Sequence, residues 1–343
     1  MRLLSCITFV LFSLHSSAQT LGGSSVFNFL KLSNTPQLTG LGGINISNQT
    51  DDIGMAWHEP SLLRPSHHSQ INLVFNSYFA GIKNYNLMTG YHYDKWKTTF
   101  GFGVNFINYG TITQTDPSGN IFGELKPSDY VVQLSASRAY ESNWYYGASL
   151  KFIHSNYGLY RSSGIAMDIG VTYYDTLRLI QASFAAKNMG AQIKAYDNTE
   201  PDDLPFDLQL GISKKLLKAP LQFSITAHHL HQFDIRYDDT SFNEVPGDAE
   251  KSYTLDKIFR HFIFATQLTI EKRIELTLGY NYLRRKELNI GNAGNGLNGF
   301  SLSIGILVKK IQIRYGSAWF QNSRAYHQFG LNLRFDDYFQ PGK

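Results

Sequence analysis

From Gln70 onward, apolar and polar residues alternate along this chain with a period of two. The clearest apolar rows are Ile71/Leu73/Phe75, Phe100/Phe102/Val104/Phe106, Tyr146/Ala148/Leu150/Phe152 and Ile165/Met167/Ile169/Val171. They continue with Phe206/Leu208/Leu210/Ile212, Leu221/Phe223/Ile225, Ile274/Leu276/Leu278/Tyr280, Phe300/Leu302/Ile304/Ile306 and finally Phe329/Leu331/Leu333/Phe335. Between them stand Gly, Ser, Asn, Gln and Thr, with a few charges (Lys151, Asp168, Asp207, Glu275, Arg314). That period puts one oily and one polar face on each strand. Weaker runs at 84–93, 129–139, 177–187, 261–270 and 311–319 bring the expected total to about fourteen strands. Most are near the roughly 9–11 residues that a tilted membrane-spanning strand needs.

The links between these runs alternate in length. Asp94-Lys-Trp96, Tyr140-Glu-Ser-Asn143, Asp175-Thr176, Leu217-Lys-Ala-Pro220, Glu271-Lys-Arg273 and Lys309-Lys310 are tight. The intervening links, 110–128, 155–163, 188–203, 231–260 and 285–299, read as long; only 79–83 and 321–324 are short. Short turns on one rim and long loops on the other are the asymmetry of outer-membrane barrels, which a Greek-key sandwich has no reason to adopt. An even strand count with both ends on the short-turn rim closes the sheet and removes its edges. The expected class is therefore all-β, a transmembrane antiparallel β-barrel. The spacing of Gln328, Gly330, Leu333 and Phe335 also resembles the C-terminal signal by which outer-membrane barrels are recognised for assembly.

The N-terminal part has a different texture. Residues 1–18 combine Arg2, a short apolar run and Ser16-Ser17-Ala18, the layout of a signal peptide cleaved after Ala18. From 19 to 66, Leu21-Gly-Gly, Gly40-Leu-Gly-Gly43, Pro36, Pro60 and Pro65 punctuate short apolar pieces with no sustained period. Val26–Leu32 has room for one or two helical turns. A segment of this length is expected to carry a role, as a plug packed inside or beneath the barrel, with a disordered periplasmic arm as the alternative. The barrel then occupies 67–336 and a short tail 337–343.

Composition supports a membrane barrel over a soluble one. Aromatic residues make up 14% and charged residues only 17%, against a typical charged fraction of about 25%. No run approaches the roughly 20 apolar residues of a spanning helix. The net charge of +4 is mild and scattered, which argues against nucleic-acid binding. Cys6, the single cysteine, lies within the expected signal, so a mature chain has no disulfide or thiolate metal site.

A search for chemistry finds little. His228-His229-Leu-His231 runs into the longest loop, followed by Asp234, Asp238 and Asp239. Strand alternation would put His229 and His231 on one face and His228 on the other, an awkward start for a three-histidine metal site. The loop carboxylates allow either a hard cation such as calcium or a solvated acidic loop. Asp116-Pro-Ser-Gly-Asn120 is a turn signature. His67-His68 and Asp51-Asp52 are pairs without a visible third partner. Neither a Gly-x-Ser-x-Gly elbow nor a phosphate-cradling glycine loop occurs. No catalytic, cofactor or metal site is expected, and inward charges such as Asp168, Asp207 and Arg314 are expected to anchor a plug or pair across a lumen.

Several stretches resemble the PorQ family of the Bacteroidetes type IX secretion system. They are Leu21-Gly-Gly-Ser-Ser-Val-Phe-Asn-Phe-Leu30, Leu41-Gly-Gly43 with Asp51-Asp52, Pro60-Ser-Leu-Leu63, Phe79-Ala-Gly-Ile82, Asn108-Tyr-Gly110 and Asp168-Ile-Gly-Val-Thr-Tyr-Tyr174. Lys187-Asn-Met-Gly190, Leu204-Pro-Phe-Asp-Leu-Gln-Leu-Gly211 and Leu221-Gln-Phe-Ser-Ile-Thr-Ala-His-His-Leu230 continue the likeness in order along the chain. The resemblance implies a FadL-like barrel of fourteen strands with an N-terminal plug. FadL-type fatty-acid channels usually carry Asn-Pro-Ala before the first strand, where this chain has Glu59-Pro60-Ser61. It implies a non-enzymatic place in the surface attachment complex: an anchor for a PorZ-like, lipopolysaccharide-handling partner. In the complex that the resemblance implies, the sortase PorU carries out the transpeptidation that joins cargo to anionic lipopolysaccharide, and PorV is the shuttle barrel.

Three readings follow. In the first, long loops hold the surface partner, with Asp234, Tyr237, Asp238, Asp239, Phe242, Glu244 and Tyr253 of the 232–260 loop as the expected contacts, because aromatics among polar residues suit an interface. The second is a FadL-type transporter of hydrophobic small molecules, which needs an apolar pocket and a movable plug; the inward Gly, Ser, Asn, Gln and Thr disfavour it. The third is a soluble β-rich binding protein.

Overall fold

The computed structural model describes residues 25–48, 50–197, 200–235, 254–288, 296–319 and 325–335. The strands are β1 (Gln70–Ser77), β2 (Lys83–Tyr93), β3 (Thr98–Asn108), β4 (Ile112–Thr115), β5 (Ile121–Leu125), β6 (Ser128–Tyr140), β7 (Trp144–Tyr157) and β8 (Tyr160–Asp175). They continue as β9 (Ile180–Lys194), β10 (Asp207–Lys215), β11 (Leu221–Ala227), β12 (Phe262–Ile270), β13 (Ile274–Asn281), β14 (Phe300–Leu307), β15 (Ile311–Trp319) and β16 (Ala325–Arg334). All but β4 and β5 form one closed antiparallel barrel of fourteen strands, with β1 paired to β16 at the seam. Closure leaves no sheet edge, the condition for a sheet to cross a bilayer.

The alternating rows behave as their period requires. Leu134, Leu150, Leu210, Phe223, Ile304 and Phe329 point outward and are exposed, while their neighbours Gln133, Ser149, Gln209, Ser224, Ser303 and Gln328 point inward and are buried. In water such an outer belt would be a large aggregation-prone patch; in lipid it is the favoured surface. Short turns between β2 and β3, β6 and β7, β8 and β9, and β12 and β13 are closed by residues in the left-handed region: Lys97, Glu141, Leu179, and Glu271 with Lys272.

The connections on the opposite rim depart from the expectation in four places. The link expected across 155–163 is a tight turn, because β7 and β8 continue to Tyr157 and Tyr160 and Gly158, at φ 76°, makes the reversal. The expected loop at 110–128 carries its own two-stranded sheet, β4 with β5, folded over the Asp116–Asn120 turn. The 232–260 and 285–299 stretches are not simple loops either: α1 (Thr254–Arg260) and α2 (Tyr282–Glu287) sit there. The two helices are tied by Asp256, which accepts from Arg260 and Tyr282 at 2.8 Å each and pairs with Lys286 at 3.4 Å.

Among the described residues, 25–48 and 50–64 pack inside the barrel. This part of the chain is built of single turns: 3-10 turns at Asn28–Lys31, Ile53–Trp57, Pro60–Leu62 and Pro65–His67, and one α-helical turn at Pro36–Gly40. Prolines open the turns at Pro36, Pro60 and Pro65, and the left-handed Gly42 and Gly43 (φ 97° and 92°) end the one at Pro36–Gly40. Val26, Phe27, Leu30, Ile53, Ala56, Trp57 and Leu63 pack onto inward Met88, Val131, Ile153 and Ala166. A second, smaller cluster joins Leu38, Leu41, Met55 and Leu62 to inward Ala265, so the segment covers the apolar sectors of an otherwise polar interior.

Candidate functional site: the filled lumen and its vestibule

The wall is shaped to receive the inner segment. At several inward positions the strands carry glycine, and a Cβ there would strike that segment: Gly279 meets the Gly40–Gly42 backbone, Gly147 the Pro60–Ser61 peptide, and Gly316 and Gly330 meet Pro36. Gly103 is similar, with a Cβ placed 2.6 Å from the Trp57 ring. Backbone and proline therefore sit directly against the strands.

Hydrogen bonds then register the segment to the wall. Gln37 donates to Gln267 at 2.9 Å, Asn45 to Ser224 at 3.0 Å, and Asn48 to Gln267 at 2.8 Å. Ser47 and Ser213 hydroxyls lie 2.8 Å apart, Ser61 and Thr172 2.7 Å, and Thr39 and Tyr326 2.9 Å. Asp52 closes the seam between first and last strands. Its carboxylate accepts from the Gly54 amide at 2.9 Å, Thr35 at 2.5 Å, Asn72 of β1 at 3.2 Å and Asn332 of β16 at 2.9 Å. Neighbouring Asp51 pairs with Arg334 of β16. His67 accepts the Arg64 amide and His68 the His92 amide, so both acidic and histidine pairs have the partners that the sequence did not reveal.

The opposite wall holds buried charge. In β9 the pairing register with β8 shifts between Met167 and Ile169, and Asn188 adopts φ 55°, a bulge that turns Lys187 and Asn188 both toward the lumen. Lys151 pairs with Asp168 at 2.5 Å and donates to Asn188 at 2.9 Å; the Asn188 amide donates to Asp168 at 2.7 Å. Lys187 reaches His58 Nδ1 at 2.8 Å. Burial first, and the Lys187 cation second, hold His58 well below the usual histidine range, so it accepts as a neutral ring. Glu59 follows, buried, with one oxygen bonded to Ser61 and the other without a partner. Burial pushes its carboxyl up to about 7. Arg314 pairs with Glu275 at 3.1 Å. Asp168 and Arg314, expected to anchor a plug or pair across the lumen, pair instead along the wall, Asp168 with Lys151 of adjacent β7 and Arg314 with Glu275 two strands away on β13. Asp207 accepts from Gln209 and the His229 amide at 2.6 Å each.

Three voids flank this packing. A cavity of about 50 Å³ lies among Lys31, His58, Lys187 and Asp207. A vestibule of about 510 Å³ on the long-loop rim is walled by Leu32, Ile44, Tyr78, Phe79, Leu283 and Tyr326, with Lys31, Arg284, Glu287 and the two histidines His228 and His229 at its edge. A polar recess of about 330 Å³ opens on the short-turn rim beside Asp51, Arg64, Lys215 and Lys272. Between vestibule and recess lie Leu38, Leu41, Ile46, Ile53, Met55 and Trp57, none more than 3% exposed.

Of the expected partner contacts, Asp234 is half-buried and pairs with Lys257 of α1 at 2.7 Å. Tyr237, Asp238, Asp239, Phe242, Glu244 and Tyr253 lie outside the described residues, as do the expected signal peptide and tail. Sequence reasoning did not single out Lys151, Lys187, Asn188, His58 or Glu59 as a group; the one trace of them is Lys-Asn interrupting an otherwise apolar and small run.

No protein-family model and no curated protein matches the sequence. Among solved structures, the CymD monoaromatic hydrocarbon channel is similar over 90% of this chain and 97% of its own, at 13% identity and a TM-score of 0.50. The chain shares that barrel fold. A TodX monoaromatic hydrocarbon channel mutant (11% identity, 88% and 98% covered, TM-score 0.49) and the KdgM porin (6%, 77% and 98%, 0.36) also match.

Proposed function

We propose that this chain is a non-enzymatic, plugged outer-membrane barrel. Its long-loop rim holds a surface partner of the PorZ kind within a type IX secretion attachment complex, as the PorQ resemblance implies. The observation that carries this reading is the carved fit between wall and segment. Inward glycines meet Pro36, Gly40–Gly42 and Pro60–Ser61 at backbone distance, and hydrogen bonds fix the register from Thr35 to Ser61. A plug that has to swing aside for cargo gains nothing from such a fit. A platform gains rigidity. The PorU sortase and PorV are then indirect partners, and the 232–260 loop is the proposed contact surface, on the rim where such barrels carry their longer loops.

A second reading rests on the vestibule of about 510 Å³ with its apolar wall. It makes the chain a channel for hydrophobic small molecules, as CymD is by its description.

One experiment separates the two. The tagged protein is extracted from its own membranes in mild detergent, its companions are identified by mass spectrometry, and the same preparation is assayed for toluene uptake in liposomes. Co-purification of a large surface protein with no uptake above empty liposomes supports the platform. A lone barrel that accelerates uptake supports the channel and overturns the platform.

A further inference from the structure

The strand alternation that separates His228 from His229 on paper ends at Ala227. His229 sits in the left-handed region at φ 53°, and this reversal folds the two consecutive rings toward one another. Their Nδ1 atoms lie 2.5 Å apart and their ring centroids 4.7 Å apart. Asp207, across the β10–β11 pair, brings its carboxylate to the same place. One coordinating atom from each of Asp207, His228 and His229 lies within 4.8 Å of the other two.

A second observation points to a missing ligand. His228 is 1% exposed, and its Nε2 finds no hydrogen-bond partner among the described residues. Neither neutral tautomer resolves this. If His229 donates from Nδ1, His228 keeps its proton on Nε2, where no described residue accepts it; if His228 donates from Nδ1, its Nε2 is a bare buried acceptor. Buried polar atoms of this kind call for an explanation, an unrecorded ion among them.

We propose that Asp207, His228 and His229 bind a divalent transition-metal ion of the zinc class. Two imidazoles and one carboxylate suit zinc, whereas calcium wants six or more oxygens, and Lys31 in the same cavity works against a hard cation held by charge alone. Coordination is through the two facing Nδ1 atoms. Nitrogens 2.0–2.1 Å from one tetrahedral ion lie about 3.3 Å apart, so the pair has to open by less than an ångström or so. His228 Nε2 then carries the proton that a coordinating imidazole keeps on its other nitrogen. The surrounding shell is built for rigidity. Gln209 and the His229 amide orient Asp207, and His261 Nδ1 donates to the His228 carbonyl at 2.7 Å while its own carbonyl accepts the His228 amide at 3.0 Å. Three protein donors leave a fourth position, and His228 and His229 both line the vestibule. The ion joins the start of β10 to the root of the 228–261 connection and presents an open coordination site to the rim.

The test uses the full-length barrel without a histidine tag, stripped with EDTA in detergent, with heat-modifiable gel migration confirming the fold of each variant. Zinc is titrated by calorimetry, and cobalt is added separately to read its d–d absorption. The expected result is one equivalent of zinc and a tetrahedral cobalt spectrum. Affinity falls at least tenfold in both Asp207→Asn and His229→Ala and stays unchanged in His231→Ala. A folded wild-type barrel that takes up no zinc, or a His229→Ala barrel that binds as wild type does, overturns the proposal. The outcome is independent of whether the barrel holds a partner or passes a ligand.

Discussion

The inner segment carries two buried carboxylates seven residues apart, and they sit in opposite kinds of seat. Asp52, at the β1–β16 seam, accepts from Gly54, Thr35, Asn72 and Asn332. Glu59, against β7 and β8, has only Ser61 for one oxygen and nothing for the other. Burial is the same, 1% and 0%, so the difference is one of donors. A carboxylate with four donors holds together the strands that supply them. One with a single serine is a cost that the site bears for another reason. The seam end of the plug is a clasp, and the β7–β9 side, with His58, Lys187, Lys151 and Asp168, is a charge-bearing interior whose balance depends on protonation.

Breaking the clasp should have the largest effect. Asp52→Ala strands four donors from three chain segments, and we expect a loss of about 3 kcal/mol, since each buried unsatisfied group costs roughly 1–3 kcal/mol before relaxation. Urea unfolding in detergent, followed by tryptophan fluorescence, measures it; a loss below the reproducibility of the midpoint would remove Asp52 from the clasp.

Glu59 sharpens the comparison through pH. Its folded value, about 7, lies above its ordinary value of 4.5, so the folded state holds the proton longer than the unfolded one. Its contribution is greatest below about pH 4.5, declines as pH rises toward 7, and stays low above it. Glu59→Gln keeps the shape without the charge. It should flatten that decline and gain on the order of 2 kcal/mol at pH 8, with little change at pH 4. A wild-type profile with no slope between pH 4.5 and 7 would contradict the assignment.

The smallest effect is expected outside the barrel. Asp234 and Lys257 pair at 2.7 Å but are half-exposed, and water screens most of their attraction. Asp234→Ala should cost less than about 1 kcal/mol in the same unfolding assay. If it matched Asp52→Ala, the loop would belong to the stability core and not to a binding surface.

The wall was legible in the sequence because a period of two survives whatever the strand packs against. Phe100, Leu150 and Ile304 needed only lipid outside them to be placed. The plug contacts were hidden because each joins positions far apart in the chain: Asp52 to Asn332, Gln37 to Gln267, Ser47 to Ser213. Inward glycines looked like ordinary small residues, and only the approach of Pro36 or Gly40–Gly42 shows why nothing larger fits. The convergence of His228 and His229 was lost because alternation was carried two residues past the end of β11, across a left-handed backbone. Similarly, α1 and α2 are too short to raise a helical period above the polar background of their loops.

The central claim is that the inner segment is a fixed part of the wall. Ser47 and Ser213 hydroxyls face each other at 2.8 Å, and Cys6 is the only natural cysteine, so Ser47→Cys with Ser213→Cys on a Cys6-free background places a reducible lock between plug and β10. Conductance in planar bilayers, compared with the lock oxidised and then reduced, is the most direct measurement. The account predicts a closed barrel in both states and no change on reduction. Channels that open on reduction and shut on reoxidation would show a moving plug and contradict it.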